Sequence, residues 1–438
     1  SGLVFISCCR YNICVGADWH KDWSVNVMDN RNNKVTQMPD RRGESGRPGG
    51  ASARSERVRA RVKNSIRYFD YSLVASMVFL ICFGLVMLYS ASAYAAQVDY
   101  GDSMYYFKRQ ILFCLAGAVG AYLISLIDYH IWSKLAKRIF FLSLILMALV
   151  QTPLGKEVNG ARRWLRLPFS QQLQPSELAK IAVILFIPVV ICQVGKQINT
   201  LAGIVRVLCW GALSAACVFF LTENLSTAII VFGISFLMVF IVHPKKALFI
   251  VPVVAGVAAV LLIPMLLGPL VEAGDFEGNF RLGRLLVWLD PERYSSGIGY
   301  QVVQGLYAVG SGGFFGKGLG NSAQKQFIPE VQNDMILSVI CEELGVFGAI
   351  MVLLLFGLLL YRLMVIAQNA PDMYGALVAS GIFCHIALQV ILNVAVVINL
   401  IPNTGITLPF ISYGGTSILF LMAEMGLALG ISRQVRMG

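Results

Sequence analysis

The chain has 438 residues, of which 57% are hydrophobic and only 13% charged, and its mean hydropathy is +0.70. A soluble domain of this size carries roughly 25% charged residues, so a water-soluble globular protein is excluded and an integral membrane protein remains. The formal net charge of +11 gathers beside apolar runs, which points to anionic lipid headgroups and not to nucleic acid.

Residues 1–67 stand apart. MPDRRGESGRPGGASARSERVRARVK is rich in Gly, Ser and Arg and reads as a disordered, basic, cytoplasmic extension. The first stretch, SGLVFISCCRYNICVG, is too short and interrupted to span a membrane. It lacks the layout of a cleaved signal peptide, and it is either native or vector-derived.

Residues 68–438 read as one polytopic domain. Ten apolar runs are long enough to cross a hydrocarbon core as helix, at 72–94, 108–127, 136–151 (short, with soft ends), 177–195, 204–221, 225–242, 247–268, 336–361, 374–398 and 411–431. Short alternating segments of the β-barrel kind are absent. The expected fold class is therefore an all-α integral membrane protein of about ten transmembrane helices. Lys and Arg in RSERVRARVKNSIR (54–67), SKLAKR (133–138) and HPKK (243–246), with Arg362, Arg433 and Arg436, place one set of connections and both termini in the cytoplasm.

Two outer connections break that charge rule. Loop 152–176 carries Lys156, Arg162, Arg163 and Arg166, cations on the side where insertion disfavours them, which calls for an anionic ligand or phospholipid headgroups. Loop 269–335, between spans seven and eight, is long enough to be functional. It mixes amphipathic stretches with glycine turns at Gly310, Gly312, Gly313, Gly316, Gly318 and Gly320, where backbone can approach a ligand closely.

At the end of that loop Asp334 opens the apolar run that leads into Glu342 and Glu343. By position alone Asp334 is equally a helix N-cap and a carboxylate at the mouth of a cavity, where partial burial would raise its pKa. Glu330, one turn upstream, either assists it or is solvated, and solvation is preferred. Glu342 and Glu343 are expected to face water or another span. Glu177 and Lys180 share one helical face at the start of span four and should pair to offset desolvation. His385 is read as a buried hydrogen-bonding group, and Gln389 and Asn393 as polar contacts between helices or to a partner's transmembrane helix. The ten cysteines show no CxxC or zinc-like spacing and read as packing residues; no metal-ligating cluster is evident.

Four segments together resemble the SEDS family (shape, elongation, division and sporulation proteins): NGARRWLRLPFSQQLQPSELAKIA (159–182), GYQVVQGLYAVGSGGFFGKGLGNSAQKQFIPEVQNDMI (299–336), EELGVFG (342–348) and IPNTGITLPFISYGGTS (401–417). The last resembles the division-type members more than the elongation-type ones. The resemblance implies a glycosyltransferase that polymerises lipid II into peptidoglycan strands at the outer face of the bacterial cytoplasmic membrane, at the division septum. It also implies a class B penicillin-binding protein and other division-machinery membrane proteins as partners. Whether a divalent cation, Mg²⁺ or Mn²⁺, takes part is left open.

In that family the aspartate of the motif matching PEVQNDMI is essential, so the role of general base falls to Asp334. Arg162, Arg163 and Arg166 become a clamp for the donor pyrophosphate, with Lys325 next in rank and Glu330 beside Asp334. Tyr413, with Gly414 and Gly415, contacts lipid or packs helices. Where many relatives read QPDLGT, this chain reads TENLST (222–227), which removes the usual aspartate there. A lipid II flippase, an elongation-type polymerase and a recruiting scaffold are the competing readings; a flippase should carry its charges near the bilayer midplane.

Overall fold

The computed structural model describes residues 69–158, 161–166, 172–272, 280–297 and 299–435; the reading of 1–67 as a basic extension lies outside them. Among the described residues ten long helices follow one another: α1 (Tyr71–Tyr100), α2 (Tyr105–Leu126), α3 (Tyr129–Leu149), α4 (Pro175–Val194), α5 (Leu201–Thr222), α6 (Leu225–Val242), α7 (Ala247–Glu272), and, beyond two short helices, α10 (Ile336–Asn369), α11 (Met373–Val397) and α12 (Gly415–Ser432). The short helices are α8 (Phe280–Leu289) and α9 (Tyr300–Ser311). Among the described residues, eight helices are long and apolar enough to cross a membrane. Two expected spans are not among them: the third, α3, which holds Lys134, Lys137 and Arg138 within its 21 residues, and the seventh, α7, which qualifies only as a shorter apolar helix over Ala247–Ala259.

Side-chain caps fix several helix starts by accepting from otherwise orphaned N–H groups. Asp70 accepts from Leu73 N at α1, Thr200 from Gly203 N at α5, Asn224 from Thr227 N at α6 and Asp372 from Gly375 N at α11. Asp70 also receives Arg362 of α10 through Nε (3.2 Å) and Nη2 (2.7 Å), which ties α1 to α10 at one end of the bundle. The centre is α4, whose apolar window is 72% buried; it packs against α3, α5, α6 and α11, while α12 lies along α2.

Two features were not expected. Within 152–176 a small antiparallel sheet forms, ordered β1 (Gly155–Val158), β2 (Ala161–Arg166), β3 (Gln172–Leu173), with Glu157 opposite Arg162 and Leu165 opposite Leu173. The second is a break in α10 at Gly345, where φ is 68° and ψ −166°. The glycine-rich loop enters that break: Val346 and Phe347 N–H groups donate to the carbonyls of Gly313 and Phe314, and Lys317 and Gly318 N–H groups to those of Glu342 and Glu343. A Cβ at Gly345 would collide with the Phe314 carbonyl, so the crossing needs glycine both for its positive φ and for its lack of a side chain.

Candidate active site

Asp334 lies in the turn before α10 and is 8% exposed. Gln301 of α9 donates through Nε2 to Asp334 Oδ1 (3.2 Å) and to the Pro329 carbonyl (3.2 Å), and Asn403 Nδ2 in turn donates to Gln301 Oε1 (3.2 Å). From α11, Asn393 Nδ2 donates to the Asp334 carbonyl (2.9 Å) and to the Ile406 carbonyl (2.7 Å). A Cβ at Gly405 would sit 3.9 Å from Asp334 Oδ2, so the 403–408 segment passes directly beside the carboxylate.

Burial pushes the Asp334 carboxyl up from 3.8 to about 6, and Glu330 adds to the rise. Arg284 and the Gln301 hydrogen bond act in the opposite sense. Arg284 belongs to the amphipathic helix α8, one turn from Trp288, whose Nε1 donates to the Asn399 carbonyl (3.1 Å). The i, i+4 spacing puts the anchor and the guanidinium on one face. Burial holds the Arg284 guanidinium below its ordinary value, and Asp334 works against that shift. Glu330 is exposed, and its carboxylate accepts from Asn333 Nδ2 (3.1 Å).

Four non-glycine residues among those described have positive φ: Glu223, Glu330, Asn399 and Phe410. All lie in connections at the Asp334 end of the bundle, where stored backbone strain points to function. The departing TENLST segment makes the α5–α6 turn there. Glu223, in the left-handed conformation, accepts at its carbonyl from Arg163 Nη2 (3.1 Å), and Ser226 Oγ donates to the Thr404 carbonyl (2.7 Å). In this chain the segment thus bridges the arginine hairpin to the 403–408 segment beside Asp334 through the Glu223 carbonyl and the Ser226 hydroxyl.

The expected cations fare differently. Arg162 and Arg166 are exposed on β2; Arg162 Nε is 3.5 Å from Glu157 Oε2. Lys325 is held by the loop itself, its Nζ 2.7 Å from the Gly320 carbonyl and 3.1 Å from Glu343 Oε1. Glu342 and Glu343 have no exposed surface. Glu343 faces Ser90 of α1, another span, while Glu342 takes Lys317 Nζ (2.7 Å), Ser322 Oγ and the N–H groups of Ala323 and Gln324. Tyr413 donates its N–H to the Gln332 carbonyl (2.8 Å), and its ring meets that of Tyr106 edge-on at 4.9 Å. Glu177 Oε1 and Lys180 Nζ are 2.9 Å apart and buried.

Three residues of this site escaped sequence reasoning: Arg284, Gln301 and Asn403. The signal for Arg284 was the cation inside the amphipathic run RLLVWL. Gln301 of α9 and Asn403 carry no charge to mark them; their one signal was membership of the motifs at 299–336 and 401–417, and only the fold brings them together. Among the described residues, no three His, Cys, Asp or Glu side chains form a group able to hold a metal ion.

Residues 71–437 match the model of the cell cycle protein family that groups FtsW, RodA and SpoVE. The chain belongs to that family. It is 38% identical over 377 residues to the probable peptidoglycan glycosyltransferase FtsW of Trichlorobacter lovleyi, covering 84% of this chain and 94% of the relative. To the stage V sporulation protein E of Bacillus subtilis it is 38% identical over 371 residues, covering 84% and 98%. Among solved structures, it is similar to a chain from work on the structural coordination of polymerization and crosslinking by a peptidoglycan synthase complex, with a TM-score of 0.67, 28% identity, and coverage of 84% and 99%. The rod shape determining protein RodA of Thermus thermophilus follows at TM-score 0.59, 25% identity and coverage of 84% and 98%. The family member described here is a multi-pass membrane protein; of the segments on which the SEDS resemblance rests, 342–348 lies within α10, while 159–182 and 401–417 run into the starts of α4 and α12 and 299–336 holds α9 and the turn before α10.

Proposed function

We propose that this chain is a peptidoglycan glycosyltransferase that polymerises lipid II, with Asp334 as the general base. The observation that carries the reading is a buried carboxylate, pushed up to about 6, that accepts from Gln301 while Asn393 holds the Asp334 main-chain carbonyl, at the end of the bundle where the sequence places the outer membrane face. At neutral pH such a group is ionised, yet more basic than a free carboxylate, which suits proton abstraction from a sugar hydroxyl. The hydroxyl oxygen of the acceptor disaccharide bonds to the anomeric carbon of the donor, whose bond to the lipid pyrophosphate breaks. The hydroxyl proton passes to Asp334, and the leaving pyrophosphate takes the electron pair.

Arginine forks match phosphate oxygens. Arg162, Arg163 and Arg166 on the hairpin, with Arg284 from α8, are the cations we assign to the pyrophosphate. Lys325, tied to Glu343, is left out. A divalent cation, Mg²⁺ or Mn²⁺, fits the site only as one held by one or two carboxylates together with substrate phosphates. Exposed Glu330 would be that carboxylate, leaving Asp334 free to take the proton, and the ion would neutralise charge on the pyrophosphate. We place the activity in the cytoplasmic membrane at the division septum, beside a class B penicillin-binding protein and other division proteins. Similarity to FtsW and to a chain of a synthase complex that couples polymerization and crosslinking supports this.

One observation favours the flippase reading: His385 and Glu424 form a buried pair midway along α11 and α12. Against it, both side chains are engaged within a closed hydrogen-bond network that leads toward Asp334. The deciding experiment gives purified protein fluorescent lipid II, with and without its penicillin-binding partner. Wild type should yield glycan polymer, and Asp334→Asn should lower that yield by roughly 10² or more. Near-normal polymer from folded Asp334→Asn, with lipid II crossing the bilayer, would overturn the enzyme reading.

A further inference from the structure

His385, Gln389 and Asn393 repeat at i, i+4 along one stripe of α11, buried at 1%, 5% and 0% exposure. Each is engaged. His385 Nδ1 is 2.7 Å from Glu424 Oε2 of α12, and its Nε2 is 2.8 Å from Gln389 Oε1. Gln389 Oε1 also accepts from Lys180 Nζ of α4 (3.2 Å), while Gln389 Nε2 donates to the Thr407 carbonyl (3.0 Å). Lys180 closes the line on Glu177. A polar spine therefore runs from the middle of the bundle to the strap beside Asp334, joining α4, α11 and α12.

Hydrogen-bond chemistry fixes its direction. An ammonium only donates and a carbonyl only accepts, so the Gln389 amide has one allowed orientation, Oε1 toward Lys180 and Nε2 toward Thr407. His385 Nε2, facing Oε1, must then carry a proton. The contact between His385 Nδ1 and Glu424 Oε2 needs a proton of its own, whichever atom holds it. With Glu424 on one side and Lys180 on the other, Gln389 cannot rotate without leaving a buried polar group unpaired.

We infer that Gln389 is a positioning residue, held by the His385–Glu424 pair and Lys180, that fixes the 404–408 strap against Asp334 through the Thr407 carbonyl. This rests on the reading of Asp334 as the base, since its purpose is to keep the strap and the carboxylate in one geometry. Asn393 makes the companion contacts, to the Ile406 and Asp334 carbonyls.

The test compares purified full-length variants with wild type. Gln389→Glu keeps acceptors for Lys180 and His385 but removes the donor to Thr407. Its kcat for lipid II polymerisation should fall about tenfold or more while KM stays within about threefold, because misplacement by a fraction of an ångström is felt in the chemical step. Amide hydrogen exchange at 405–408 should speed up by about tenfold or more as the strap loosens. Glu424→Leu, about half the bundle away, should produce the same two changes in weaker form, and Glu424→Gln, which can donate to His385 Nδ1, should restore both. A folded Gln389→Glu protein with kcat and strap exchange within about twofold of wild type would overturn the inference. So would Glu424→Leu and Glu424→Gln that behave alike. The exchange readout does not depend on Asp334: faster exchange in Gln389→Glu alongside an active Asp334→Asn protein would retain the spine and remove the base.

Discussion

Lys325 Nζ stands 3.1 Å from Glu343 Oε1, and the same carboxylate accepts from Ser90 Oγ at 2.7 Å. The Lys325 side chain is 12% exposed and that of Glu343 not at all. The contact therefore pins the glycine-rich loop to α1 and α10 just where α10 is broken. Truncating one partner of such a buried pair leaves the other charge uncompensated, at a cost of about 3–5 kcal/mol.

Glu343→Leu should accordingly lower the thermal unfolding midpoint sharply, and adding Lys325→Met should recover most of the loss. Lys325→Gln should destabilise the protein while leaving the KM for lipid II unchanged. A KM that rises without loss of stability would return Lys325 to the pyrophosphate site.

Asp334 is expected to cost stability where it supports catalysis. Its folded-state value, about 6, exceeds the ordinary 3.8, so the folded state binds the proton more tightly than the unfolded one. Stability then declines as pH rises from about 4 through about 6, and the full cost, on the order of 3 kcal/mol or less, is present at pH 7.5. Asp334→Asn should melt at or above the wild-type temperature at pH 7.5, with the gap closing as pH falls toward 4. Constant separation of the two melting curves across that range would show that the carboxyl is not strained by burial.

The helices were legible because bilayer thickness dictates the length of an apolar run, so spans expected at 225–242 and 374–398 are found at Leu225–Val242 and Met373–Val397. Asp334 and the Glu177–Lys180 pair were legible because charge at the edge of such a run is costly and needs a reason. Glu424 carried the same signal within LFLMAEMGLALG and was missed, since a single acid in a long apolar run does not name its partner 39 positions away. The burial of Glu342 and Glu343 could not be read locally. Their donors Lys317, Ser322, Gln324 and Lys325 reach them only once the glycine loop folds back through the break at Gly345. The hairpin of 155–173 was hidden by strands too short to show alternation.

Glu177 and Lys180 give a prediction whose detail comes from their neighbour. Either single alanine should cost about 1–3 kcal/mol by leaving a buried partner unpaired. The charge-swapped double mutant, Glu177→Lys with Lys180→Glu, should recover only part of the loss. It sets a carboxylate against Gln389 Oε1, and the amide can turn to meet it only by releasing Thr407. Adding Gln389→Leu to the swap should remove that conflict. Strictly additive losses across the cycle would show that the three side chains do not interact.

The last prediction uses the two charges that bias Asp334 in opposite directions. As the base, Asp334 must be ionised, so kcat/KM should rise with pH through about 6, the value set mainly by burial, and level off above it. Arg284 favours the carboxylate and Glu330 disfavours it. Arg284→Gln should therefore move the acid limb of the profile to higher pH, and Glu330→Gln should move it to lower pH. Both residues sit near the substrate, so each substitution is free to change the plateau, but only their electrostatic reach to Asp334 makes the limbs part in opposite directions. The profiles are measured by initial rates of lipid II polymerisation at low substrate in buffers of constant ionic strength, since salt screens the exposed Glu330 more than the part-buried Arg284. Limbs that shift the same way, or a limb that survives unchanged in both variants, would assign the titrating group to a residue other than Asp334.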